Sequence, residues 1–130
     1  MIKKLLLAGV LALLGATQAD AGFSARQWYE GMFTCKIAGS PDLLEAYITT
    51  QQGELTGWGH LTKSPSKPPV DHVQPRGDTV SFYFDSNPRG YVELHRHRLH
   101  YGPHRGRYSN ILTGKLVMKG KHYDLSCTRR

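Results

Sequence analysis

The chain has 130 residues, 17 lysines and arginines against 10 acids, seven histidines, two cysteines and a formal charge of +7. Its length fits one domain, and 39% hydrophobic with 21% charged residues fits a folded chain, not a disordered one. These figures argue against a second domain, a multi-span membrane protein and a disulfide-dense mini-scaffold. The lack of a GxGxxG or GxxxxGK[ST] match argues against the common dinucleotide and nucleotide enzymes.

Residues 1–21 have the pattern of a bacterial secretory signal. Lys3 and Lys4 form a basic start, Leu5 to Leu14 an apolar run, and small residues follow. Thr17-Gln18-Ala19 and Ala19-Asp20-Ala21 are two cleavage patterns, so cleavage is expected after Ala19 or Ala21. The apolar run is too short to span a bilayer comfortably, and no transmembrane span is expected once it is removed. Loss of Lys3 and Lys4 lowers the charge to +5, or +6 when Asp20 leaves too. The expected destination is the periplasm or the outside of the cell, and residues 22–130 are read as a single β domain.

The rest of the chain alternates with a period of two. Tyr29, Gly31, Phe33, Cys35 and Ile37 share one face of a first strand. Gly39-Ser40-Pro41-Asp42 is a turn. Asp42 to Gln51 has a weak helical face, but Ile48, Thr49 and Thr50 favour a strand. Gln52-Gly53 turns into a strand from Leu55 to Thr62. Gly57 and Gly59 within it predict a bulge, a bend or a close backbone approach. Lys63 to Gly77, with Pro65, Pro68, Pro69 and Pro75, reads as one long loop. Val80, Phe82 and Phe84 mark a strand, and Ser86 to Gly90 a turn. Tyr91 to Tyr101 is expected to be the next strand, followed by a Gly-Pro loop to Arg107. Asn110 to Met118 and Lys121 to Thr128 flank Lys119-Gly120, the strongest hairpin signal in the chain. Arg129 and Arg130 are expected to fray.

Cys35 and Cys127 are even in number and form no CxxC pair, which in an oxidising compartment favours a disulfide. Each shares a face with apolar neighbours, so both point inward, and a bond requires the first and last strands to be close. The prediction is an all-β domain of about seven strands: a small antiparallel up-and-down barrel, with a β-sandwich as the alternative.

Chemistry is concentrated in Arg89 to Arg107. This segment holds Arg89, Arg96, Arg98, Arg105 and Arg107, with His95, His97, His100 and His104 and the single acid Glu93, for a charge of +4. Guanidinium groups grip carboxylates and phosphates in pairs. Arg96 and Arg98, two apart on a strand, would project from one face about 7 Å apart. With Tyr101 nearby, the five arginines are the candidate contact for an anionic glycan, a lipid headgroup or an acidic protein, in the manner of an inhibitor or immunity protein. The bland counterpart is a solvated, charged strand face.

The alternative is a transition-metal site. His95 and His97 would share a strand face with Glu93, a geometry open to zinc, copper or nickel. No other cofactor is indicated. A small hydrolase is a third class: His60-Leu61-Thr62 has the H-x-T shape of paired-histidine phosphoesterases, but no second such motif is present, and neither GxSxG nor HExxH occurs.

Overall fold

The computed structural model describes residues 27–85 and 88–130. The expected leader, residues 1–21, lies outside the described residues. Eight antiparallel strands follow in chain order: β1 (Gly31–Ile37), β2 (Leu43–Gln51), β3 (Glu54–Leu61), β4 (Val70–Arg76), β5 (Thr79–Phe84), β6 (Gly90–His95), β7 (Ile111–Met118) and β8 (Lys121–Arg129). Among the described residues there is no helix, hence none long and apolar enough to cross a membrane.

The strands form one sheet in the order β3-β2-β1-β8-β7-β6-β5-β4. Every strand therefore lies beside its neighbour in sequence, and β1 pairs with β8. Only the β3–β4 junction is incomplete. There Trp58 and Pro69 form an isolated bridge, and Gly59 N–H donates to the Pro68 carbonyl at 3.0 Å. Pro68 and Pro69 have no N–H to donate, which weakens pairing across this seam. The result is a nearly closed up-and-down barrel.

Alternation builds the core as the sequence predicts. Phe33, Cys35, Leu44, Ala46, Ile48, Val80, Phe82, Phe84, Val92 and Leu94 point inward and are buried. The barrel is thus filled by its own side chains, as expected for a barrel of this size. Lys119-Gly120 and Gln52-Gly53 both hold two consecutive residues at positive φ (52° and 75°, 52° and 81°). That is the backbone of a type I′ turn, whose twist matches the flanking strands. Gly57 is a close approach: a Cβ there would lie 1.7 Å from the Tyr47 carbonyl oxygen of β2. Gly59 lies against the Phe84 side chain, whose Cβ would be 3.3 Å from an added methyl.

Three sequence expectations need correction. The eight strands agree with the expected number of about seven, but one of them, β4, lies within the stretch read as a loop. It survives its proline because Pro75 sits on the strand bordering the seam. A bulge also interrupts it, where His72 and Val73 together oppose Phe82 and His72 takes φ 53°. Secondly, β6 stops at His95 instead of reaching Tyr101. Its partner β5 begins at Thr79, opposite His95, and beyond that pair the Arg96 N–H only reaches the Asp78 carbonyl in the turn, at 2.9 Å. Thirdly, the C-terminus does not fray. Arg129 pairs with Phe33, and Arg130 and Met32 exchange two backbone hydrogen bonds of 2.8 and 3.1 Å.

Cys35 and Cys127 are cross-strand partners on β1 and β8 and are joined by a buried disulfide spanning 92 positions. The bond fits an oxidising environment.

Candidate functional site

Chain direction sorts the turns into two ends. One end carries the β2–β3 and β4–β5 turns and the long β6–β7 connection. The other carries the β1–β2, β3–β4, β5–β6 and β7–β8 connections. The arginine-rich segment is split between them. Arg89 precedes β6 at the second end, whereas Arg96, Arg98, Arg105 and Arg107 follow it at the first.

Arg89 is fully engaged. Its Nη2 donates to both Asp71 oxygens at 2.6 and 2.7 Å, its Nε lies 3.1 Å from Asp85, and its guanidinium stacks on Tyr83. The Asp71 carboxyl is held below its ordinary value by the His72 hydrogen bond first, and then by Arg89.

The β6–β7 connection is an irregular hairpin. His97 O accepts from Ser109 N–H, Leu99 N–H donates to Arg107 O, and Gly106 N–H donates to Leu99 O, each at 2.7 Å. Arg98 bridges Tyr108 across it. Its base is organised on Tyr108. The Arg96 and Arg98 guanidinium groups lie 3.7 and 4.3 Å from the Tyr108 ring centre, and Arg96 also lies 4.9 Å from that of Trp28. Asp78, in the β4–β5 turn, accepts from Arg96 Nε at 3.0 Å and from the Tyr108 hydroxyl at 3.1 Å. These bonds, Arg96's foremost, hold its carboxyl below the ordinary range. Arg98 Nη1 donates to the Gly106 carbonyl at 2.7 Å, which fixes the returning arm.

Arg96 and Arg98 therefore do come together, but around an aromatic ring, not on a regular strand face. Arg96 is only 23% exposed and is committed to Asp78. Arg105 and Arg107 are different: both are exposed, and among the described residues neither side chain has an acidic partner. Tyr101, 89% exposed, stands between His100 and Gly102 at the tip. Residues 96–107 contain four arginines, three histidines and no acid.

Each of the histidines proposed as metal ligands has a threonine hydroxyl as partner. His95 Nδ1 lies 2.9 Å from Thr79 Oγ1, and His97 Nε2 lies 2.6 Å from Thr113 Oγ1. Glu93 Oε2 is 3.8 Å from His95 Nε2. Among the described residues no group of three or more His, Cys, Asp or Glu side chains is placed to hold a metal ion.

His60 is the buried histidine. Its Nδ1 lies 3.0 Å from the Ser64 backbone carbonyl and its Nε2 3.0 Å from Glu45 Oε1. With a backbone acceptor on one nitrogen and a carboxylate on the other, the ring ties the β3–β4 connection to β2. Neither nitrogen faces a serine hydroxyl, the contact that nucleophile activation would require.

Sequence reasoning found the basic segment but missed Asp78 and Trp28, the two groups that organise its base. Register supplies the missing signal for Asp78: a β5–β6 pairing that sets Thr79 opposite His95 brings Asp78 to Arg96. Comparison of the chain with known protein families, curated proteins and solved structures returns no match.

Proposed function

We propose that the protein is an exported, non-catalytic binding protein that docks the tip of its β6–β7 hairpin on an acidic surface of a partner protein. The carrying observation is the contrast within one segment. Arg96 and Arg98 are spent on bracing the base, while Arg105 and Arg107 stand exposed beside Tyr101. Arginine and tyrosine are the residues most often found as anchors of protein interfaces, and this tip contains no lysine. A tip braced at its base loses less conformational freedom on docking. The leader pattern and the disulfide support export to the periplasm or beyond.

The test is titration with poly-glutamate, an anionic polysaccharide and phosphatidylglycerol vesicles at low and high salt. Poly-glutamate should bind most tightly, and its affinity should fall steeply with salt. The double variant Arg105→Ala with Arg107→Ala should weaken it by about tenfold, in keeping with the loss of two charge-assisted contacts. Arg89→Ala, at the far end, should leave it unchanged. Tighter binding of the polysaccharide or the vesicles would overturn the choice of partner. An unaltered affinity in the double variant would remove the tip as the site.

A further inference from the structure

At the end opposite the arginine hairpin, the barrel mouth opens into a cleft of about 670 Å³. That volume is in the range of small-molecule sites, roughly 300–1,000 Å³. Its lining is two-toned. Leu61, Leu116, Met118 and Tyr123 are buried or half-buried, and form an apolar floor. Lys119 and Lys121, exposed on either side of Gly120 in the β7–β8 turn, form a positive rim. The acids that share the lining are already engaged: Asp42 lies 3.5 Å from Lys63 Nζ, and Asp85 is paired with Arg89. Lys119 and Lys121 have no ion pair among the described residues. The floor cannot be entered more deeply, because Phe33, Phe82 and Phe84 fill the barrel behind it.

We infer that this mouth is a binding site for a small amphiphilic anion, with Lys119 and Lys121 taking a carboxylate, sulfonate or phosphate head and the Leu61, Leu116, Met118 and Tyr123 floor taking a compact apolar body. The two parts of the site reinforce each other. Apolar contact gives affinity without direction, and the two ammonium groups on one tight turn fix which end of the ligand faces water. A free inorganic anion would meet only the rim, and a neutral hydrocarbon only the floor. The inference is independent of the hairpin tip, which lies at the other end of the molecule.

The probes are anilinonaphthalene sulfonate and its uncharged counterpart, phenylnaphthylamine, followed by fluorescence on the intact folded protein. The sulfonate should show saturable, one-site binding. Lys119→Glu with Lys121→Glu should weaken it by about tenfold or more, and should change the neutral probe by less than about twofold. Arg105→Ala with Arg107→Ala should leave both unchanged. Amide chemical-shift mapping with the sulfonate on the parent protein covers the case in which the charge-reversed variant fails to fold; the shifts should gather at Leu61, Met118, Lys119 and Lys121. No saturable binding, equal affinity in the charge-reversed variant, or shifts gathered at the hairpin tip would each overturn the site.

Discussion

Tyr108 and Asp78 together convert a run of arginines into a structure with a fixed base and a free tip. A run without acids repels itself, and the remedy comes from across the barrel end, in the β4–β5 turn. Asp78 and Asp71 both have folded-state carboxyl values below the ordinary 3.8. Their contribution to stability is therefore fully present above that value, and is lost as the pH falls through the lower folded-state values. Urea unfolding as a function of pH should show stability declining below about pH 4, and Asp78→Asn should flatten part of that decline while lowering stability at neutral pH. A second prediction at this scale concerns β3. Gly57→Ala places a Cβ 1.7 Å from a backbone oxygen at a φ of 151°, whereas Gly59→Ala meets only the Phe84 side chain, at 3.3 Å. Gly57→Ala should be the costlier change, by roughly 1–3 kcal/mol, on the scale of overpacked cores, as read from urea midpoints.

Among the elements, those with two-residue alternation and a Gly-containing turn were readable in advance. β1, β2, β5, β7 and β8 lie within a residue or two of their expected limits, because their burial pattern and their turns point to the same answer. The two failures have a common physical origin. β4 looked like loop because prolines deny it donors, but a strand beside a seam needs donors on one side only. β6 looked long because no glycine or proline interrupts the run before Gly102, while strand length is set by the partner, and β5 reaches no further than Thr79. The candidate site was legible as composition only. That Arg105 and Arg107 are available while Arg96 is not depends on pairing register and on a tyrosine ring, neither of which is written in residue spacing.

At the level of the whole molecule, the inward-facing cysteines followed from alternation and the proximity of first and last strands from the bond expected between them, and the barrel agrees with both. The disulfide closes a loop of 92 positions, which the chain-entropy description values at roughly 4–5 kcal/mol. Reduction, or Cys35→Ala with Cys127→Ala, should lower unfolding stability by about 2–5 kcal/mol in urea titrations, a large share of the total for so small a domain. A loss well below that range would mean that the unfolded chain is already compact. The bond also decides what becomes of a damaged molecule. A protease that cuts once at the exposed 100–107 tip creates two fragments, one bearing Cys35 and the other Cys127, and the sulfur bridge keeps them as a single covalent particle. Such a nick would pass unseen on a non-reducing gel, and would appear as two bands only after thiol treatment.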